Sequence, residues 1–522
     1  MKRYSHIALS MLLIVMSVAL IGCSGDKNNN NNAEGNNSES NISQKEPTNG
    51  GTVVVGIQQD IDSLDPHKAV AAGTSEVLFN VYEGLVKPDK EGNLDRAVAS
   101  DYKVSEDGTE YTFILRDGIK FHNGNLVTVK DIVYSVKRSA GLLDNGDSSI
   151  VPKSALQNIS EVKATDDKTV VIKLKSADTE LLPYLTFAII PEGYEKCDTA
   201  PIGTGPFKFT SYTAGQNIVI EKNEDYWGQK AYLDQVTFKV VEKAETAMME
   251  LQAGSIDIYP YITEDQANQV KSQFNIEVGN MNLVQALFLN NNAKPFDNEK
   301  VRQALCYAID RQVILDMVAG GKGNIIGSGV FSGFTKYFDE ELVSYYNVDL
   351  AKAKQLLSEA GYPNGFEFTI TVPSNYQYHM DTAQVIVDQL SQIGVTAKIK
   401  GVEWASWLSD TYSGRDYEAT IIGLDAKLAG SDLLSRYVSD AKNNFVNFND
   451  KEYDEIFAKA KATTVDSEKV DYYKQLQKIL TEHAASVYIA DPPLMVAVSK
   501  KLGGYTFYPV YVQDMASVYI AK

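Results

Sequence analysis

Sixty-eight aspartates and glutamates and five histidines are the residues of this 522-residue chain that could move a proton or hold a metal. Acid–base catalysis needs two carboxylates brought together across a cleft. With 68 of them, chance pairs are guaranteed, and none singles itself out. His6, His67, His122, His379 and His483 are scattered, with no two at metal-ligand spacing. No G-x-x-x-x-G-K-[ST], H-E-x-x-H, C-x-x-C or G-x-S-x-G occurs. The glycine-rich "AGGKGNIIGSGV" of residues 319–330 lacks phosphate-loop spacing and reads as a loop. The chain is expected to bind rather than to catalyse, with no metal or cofactor.

Cys23 has a more telling setting. Lys2 and Arg3 precede an apolar run, Ile7 to Ile21, broken only by Ser10 and Ser17. A basic end, a short apolar core and a small residue before a cut site describe a secretory signal peptide, here residues 1–22. Leu20-Ile21-Gly22-Cys23 resembles the bacterial motif in which the chain is cut before a cysteine whose thiol carries a diacylglycerol. Each buried CH₂ of such an anchor contributes about 0.8 kcal/mol to membrane binding. The tract from Ser24 to Gly50, rich in Asn, Ser, Gly and Glu, cannot form a core. As a flexible coil its ends would lie about 30 Å apart. The expectation is a lipidated, tethered body on the outer face of the cytoplasmic membrane, in an envelope of Gram-positive type.

Composition agrees with a large globular body. Hydrophobic residues make up 44% and charged residues 22%, and the length suffices for two or three lobes. Net charge is −19, becoming −21 on loss of Lys2 and Arg3, with no basic cluster. That excludes nucleic acid as a partner and leaves membrane attachment to the anchor. Besides Cys23, Cys197 and Cys306 are expected as unpaired thiols.

The elements that would position a site follow from periodicity. "GTVVVGI" reads as a buried strand with a turn at Asp65-Pro66, and "TSEVLFNVYEGLV" as a helix. "EYTFILRDGIKFHNG" reads as strand, turn and strand, followed by a helix that Thr128 and Asp131 cap as a box. Residues 168–240 read as strands between Pro and Gly. "NEKVRQALCYAIDRQVILDMV" reads as one amphipathic helix. A second helix starts at Asp349 and stops at Gly361, and a third stops at Gly394 before the strand "TAKIKGVEW". Helix and strand in alternation point to an α/β lobe.

Several segments together resemble the extracellular solute-binding proteins, family 5, the peptide/nickel-binding receptors of ABC importers. In order these are "SLDPH", "VYEGLV", "VSEDGTEYTFILRDGIKFHNGNLVTVKDIVYSVKR", "PIGTGPFKF", "NEDYWGQKAYLDQVTFKVV", "LQAGSIDI", "KPFDNEKVRQALCYAIDR", "AKQLLSEAGYPNG" and "LSQIGV". The resemblance implies an α/β, two-lobed periplasmic-binding-protein-like fold of type II and the large cluster C kind, with an extra subdomain inserted in the first lobe. The implied parts are lobe 1 at 51–89, 201–283 and 489–522, the inserted subdomain at 90–200 and lobe 2 at 284–488, after the tether of 23–50. It further implies a monomer that captures a peptide or small solute and hands it to membrane permease subunits. Gly203, Gly205, Pro206, Trp227, Arg302 and Asp310-Arg311 are read as scaffold.

The resemblance also places the ligand. Oligopeptide-binding relatives hold an extended peptide between the lobes, and a carboxylate in a segment like G-W-x-x-D meets its ammonium. Here the matching stretch is "IIGLDAKLAGSD", with Leu424 for the Trp and Lys427 for the carboxylate. Either Asp425 or Asp432 takes over the ammonium, or the ligand offers an anion to Lys427. An anionic solute or a nickel chelate, and a peptide signal sensed without transport, therefore stay open. His379 falls where relatives hold the peptide carboxylate, and Trp404 matches a cleft tryptophan. Tyr82 and Tyr376 complete the candidates.

Overall fold

Valine and isoleucine runs set the sheets of this computed structural model, which describes residues 46–143, 150 and 154–522. Cys23 and the expected signal peptide lie outside the described residues. Thr52–Ile57 is the central strand of a seven-stranded sheet, paired in parallel with Gln235–Val240 and with Ile258–Tyr259. The sheet runs on one side through Asn217–Lys222 to Phe207–Thr213, and on the other through Pro493–Ser499 to Phe274–Asn280. Val53, Val55, Phe207, Ile220, Val236 and Phe238 fill its core.

A second sheet, of six strands, runs in the order Asn324–Ile325, Ser486–Asp491, Val284–Leu289, Ala419–Leu424, Glu367–Pro373, Thr396–Val402. All six side chains of Val284–Leu289 are buried. Leu287 and Leu289 enter one core with Leu305, Ile370 and Ile386, while Val284, Ala286 and Phe288 enter another with Trp407, Tyr437 and Leu480. Alternate side chains leave opposite faces of a strand, so a strand covered on both faces reads as a continuous apolar run. A separate antiparallel sheet, Ala99–Val104, Glu110–Leu115, Thr169–Leu174 and Ile159–Ala164, packs with the helix Val129–Ala140 around Tyr111, Phe113 and Ile172.

Capping residues act as read. Thr128 and Asp131 form the box at the start of Val129–Ala140. The Asp349 carboxylate accepts from the Lys352 N–H at 2.8 Å, and Gly361 and Gly394 take φ of +91° and +83° beyond their helices. The scaffold cations serve backbone carbonyls. Arg302 donates to Phe296, His483 and Ala484, and Arg311 donates to Ile326, Val343 and Tyr346. Cys197 and Cys306 are free thiols buried in different cores.

Four expectations are corrected. The long helix is two, Glu299–Ala308 and Arg311–Ala319, because Asp310 turns out of helical geometry and its carboxylate caps the second at the Val313 N–H. The helix at "TSEVLFNVYEGLV" spans only Ala72–Leu78. Beyond it the buried Asn80 side chain donates to the Gln513 carbonyl and accepts from the Met515 N–H, tying the chain to the C-terminal segment instead of to another helical turn. The strand expected after Asp117-Gly118 is reduced to a single bridge, Lys120 to Leu126. Pro47–Thr48, expected as the end of the tether, pair with Ala521 and Ile520.

The chain passes between the two large sheets at Met281–Leu283 and again at Pro492, and these crossings are bonded together. The Met281 N–H donates to the Pro492 carbonyl at 2.9 Å, and the Leu283 N–H donates to Asp491 Oδ1 at 3.1 Å. Asp491 is fully buried and its Oδ2 has no partner. Burial pushes its carboxyl up to about 7, against the hydrogen bond from the Leu283 N–H. A carboxyl raised above its unfolded value binds its proton more tightly in the native state. Its contribution is therefore complete at low pH and lost as pH rises from about 4 through about 7. Asp491→Asn keeps an acceptor for Leu283 without the charge. At pH 8 the variant should be more stable than the parent by on the order of 3 kcal/mol, a gap that closes towards pH 4 in denaturant titrations. A gap independent of pH would contradict this.

Candidate ligand-binding site

The strand Thr396–Val402 and the segment before the helix Gln377–Ser391 bring three aromatic rings together. Trp404 stacks on Trp407 at 5.3 Å with their planes 7° apart, and Tyr376 meets Trp404 edge-on at 5.4 Å. Trp407 is anchored from below, its indole N–H donating to Thr420 Oγ1 at 2.9 Å. Trp404 itself stays half-buried, so the pair forms a platform with one accessible face. Tyr376 reaches the other lobe, where its hydroxyl donates to Gln59 Oε1 at 3.5 Å.

The end of the strand Ala419–Leu424 supplies the charges. Asp425 is half-buried, and its carboxylate has no hydrogen bond or ion pair among the described residues. Only its carbonyl is used, accepting from Arg436 Nη2 at 3.3 Å. Arg436 Nη1 donates to the Tyr412 hydroxyl at 3.1 Å, and its Nε is buried without a partner. Lys427 is half-buried, and its ammonium has no ion pair among the described residues.

Asp432 is already committed. Its Oδ2 accepts from the Lys427 N–H at 2.9 Å and its Oδ1 from the Tyr184 hydroxyl at 3.0 Å. Those bonds shape the loop and tie it to the segment Leu182–Thr186. Neighbouring contacts do the same. The Asp178 carboxylate pairs with Lys461 at 2.6 Å, and Glu180 accepts from Tyr337 and Tyr473. The subdomain of the four-stranded sheet and the body of the six-stranded sheet are thus in contact on this side.

Two candidates lie elsewhere. His379 is 5% exposed, and its Nδ1 lies 2.9 Å from the Gln285 amide nitrogen, which donates to it. Burial pulls the imidazole down to about 4, so it is neutral at physiological pH and offers no cation to a carboxylate. Tyr82 is a core residue packed with Val81, Cys197 and Phe207, its hydroxyl donating to the Leu64 carbonyl at 3.4 Å.

Residues not singled out in sequence complete the lobe 1 side. Glu76, on the helix Ala72–Leu78, is 4% exposed and accepts from the Tyr261 hydroxyl. Tyr261 stacks on Tyr511 at 5.7 Å with planes 13° apart. Burial pushes the Glu76 carboxyl up to about 7, against hydrogen bonds from Tyr261 and Gln513. The Tyr376 and Tyr511 hydroxyls are both raised, chiefly by burial and in part by the nearby charges of Glu76 and Asp425. No sequence pattern joins positions 76, 261, 376, 425 and 511.

The model of bacterial extracellular solute-binding proteins, family 5, matches residues 93–482, and the chain belongs to that family. It is 27% identical over 547 residues to the oligopeptide-binding protein AppA of Bacillus subtilis, covering 97% of both chains. It is 29% identical to the glutathione-binding protein GsiB of Salmonella typhimurium, over 88% of this chain and 92% of that one. The structure of B. subtilis AppA with a nonapeptide superposes with a TM-score of 0.80 at 25% identity, over 91% of this chain and 100% of that one. AgaA from A. tumefacien R10 with agropinic acid gives a TM-score of 0.78 at 29% identity, over 90% and 99%. The fold is accordingly the two-lobed one of the peptide-binding receptors, and the family is one of solute-binding receptors.

The chain has three tryptophans, and they make the platform observable. Trp227 is held away by Glu83 and Arg116, and Trp407 is buried. Trp404→Phe should therefore remove most of the tryptophan fluorescence change that a bound solute produces, while leaving the unfolding midpoint nearly unchanged. An undiminished change would place the solute away from the platform.

Proposed function

We propose that this chain is the lipid-anchored receptor of an ABC importer, capturing short peptides between its lobes and delivering them to permease subunits in the membrane. The observation that carries the reading is end-to-end similarity to AppA, whose structure holds a nonapeptide, combined with an aromatic platform and unpaired charges at the lobe boundary. Peptides also occupy the similar structures of Helicobacter pylori DppA and of a dipeptide-binding protein from pseudoalteromonas sp. SM9913. Main-chain hydrogen bonds to an extended peptide give affinity without reading its sequence. Closure is driven by the ligand's preference for the closed form. The protein acts as a monomer, with lobe 1 at 51–89, 201–283 and 489–522, the inserted subdomain at 90–200 and lobe 2 at 284–488.

A second reading rests on Lys427. Its ammonium, without an ion pair among the described residues, suits a carboxylate, and the similar AgaA holds agropinic acid. Native mass spectrometry of the protein purified from rich medium separates the two. A ladder of bound masses fitting short peptides is the expected result. One recurrent non-peptide mass would replace the peptide by a dedicated anionic solute.

The anchor rests on Cys23 and the apolar run before it. Cys23→Ser should abolish incorporation of labelled palmitate and move the protein from the membrane fraction to the medium. Labelling that persists in the variant would overturn the anchor.

A further inference from the structure

The four-stranded sheet is fastened to one neighbour and laid against the other. Arg138, on its helix Val129–Ala140, holds Asp65 in a buried bidentate pair at 2.9 and 2.6 Å, and the adjoining Leu64 belongs to the core of the seven-stranded sheet. From the four-stranded sheet the chain enters the seven-stranded one at Phe207–Thr213 and only later reaches the six-stranded one. Among the described elements, none passes directly from the four-stranded sheet to the six-stranded one. Side chains therefore make that contact without help from connectivity.

The charges in this contact are buried. Asp178 is 2% exposed and Glu180 is 6% exposed. The four-stranded sheet fixes Asp178, whose carbonyl accepts from the Tyr111 hydroxyl at 2.6 Å and whose N–H donates to the Gly108 carbonyl at 3.0 Å. On the other side Lys461 lies on the helix Lys451–Ala462, and Lys469 and Tyr473 lie on Asp466–Glu482. Lys461 Nζ meets Asp178 Oδ2 at 2.6 Å, and the Tyr473 hydroxyl donates to Glu180. Lys469, 2% exposed, donates to Thr179 Oγ1 at 2.5 Å and has no ion pair among the described residues. Burial pulls its ammonium below the usual lysine value, against the charges of Glu180 and Asp178. Two carboxylates of one body thus face two ammoniums of another. Removing one partner of such a set leaves a buried charge uncompensated, whereas parting the bodies returns every charge to water. The set therefore distinguishes the bodies together from the bodies apart.

The same contact reaches the candidate ligand loop. Ala429 is buried in the core of the four-stranded sheet, although Leu424 before it and Leu433 after it belong to the core on the six-stranded sheet. Tyr184 holds Asp432, and Asp432 holds the Lys427 N–H.

We propose that the four-stranded sheet acts as a latch, in which Asp178, Thr179 and Glu180 engage Lys461, Lys469 and Tyr473 as the receptor closes and so set its affinity for whatever solute it holds. This rests on closure around a solute and goes beyond the peptide reading. Apparent affinity scales with the fraction of protein in the binding-competent form, so a weaker latch raises the dissociation constant without any lost contact to the solute.

Calorimetry with trialanine and tetraalanine on the full chain in mild detergent tests this. Asp178→Asn and Lys461→Met should each weaken binding about tenfold or more. The double variant should bind about fivefold or more better than the product of the two losses, and Lys461→Arg should stay within about threefold of the parent. Lys300→Met, which breaks the exposed pair with Glu359 inside the six-stranded body, should stay within about twofold. A lowered unfolding midpoint with affinity unchanged would make the contact structural only and overturn the latch. If neither probe binds the parent, the peptide reading is what has failed, and the latch is read without solute. Spin labels at Asp167→Cys, in the turn before Thr169–Leu174, and at Lys451→Cys, in the Cys23→Ser chain, should then lie further apart on average once Lys461→Met is added. Unchanged label distances would overturn it.

Discussion

Everything in this molecule hangs on two short crossings between sheets. Met281–Leu283 and Asp491–Pro492 carry the chain from one sheet to the other and back, and they are hydrogen-bonded to each other. A single link would leave the lobes freer to reorient, whereas two crossings bonded to each other restrict how they can move. The cost is a buried carboxyl with one oxygen unpartnered. Buried polar atoms without a partner are rare, and this one sits at the crossings that join the lobes.

The candidate ligand surface draws on residues from both sides of those crossings. Lobe 2 provides a tryptophan platform and the charges at the end of a buried strand, and lobe 1 provides a carboxyl bonded to the Tyr261 hydroxyl. Contacts such as Tyr184 to Asp432 and Lys461 to Asp178 hold the lobes together beside the site. They are polar contacts, made by side chains that water also solvates.

Much of the scaffold was legible in sequence because its causes are local. Thr128 with Asp131, Asp349, Gly361 and Gly394 act through neighbours a few residues away. Runs such as Val284–Leu289 announce burial on both faces. Asp310 was legible in retrospect, since an aspartate before a fresh apolar run is a capping signal that outweighed the continuous stripe. The site was harder. Trp404, Tyr376, Asp425 and Lys427 are candidates through resemblance alone, and the burial of His379 and Tyr82 is a tertiary property that residue type does not carry. Glu76, Tyr261 and Tyr511 had no signal at all. Their meeting depends on a sheet that draws strands from both ends of the chain, and the left-handed φ of Tyr261, +62°, has no glycine to mark it.

The small sheet in which Pro47–Thr48 lies beside Tyr519–Ala521 has an engineering consequence. The Lys522 N–H donates to the Glu46 carbonyl, so the first and last described residues are hydrogen-bonded neighbours. A linker of a few residues would close the body into a ring, and new ends could be opened in an exposed turn such as Asn123-Gly124. A reporter inserted there would ride on the subdomain that contacts the body of the six-stranded sheet. The topology thus offers a route to a circularly permuted biosensor without disturbing either crossing.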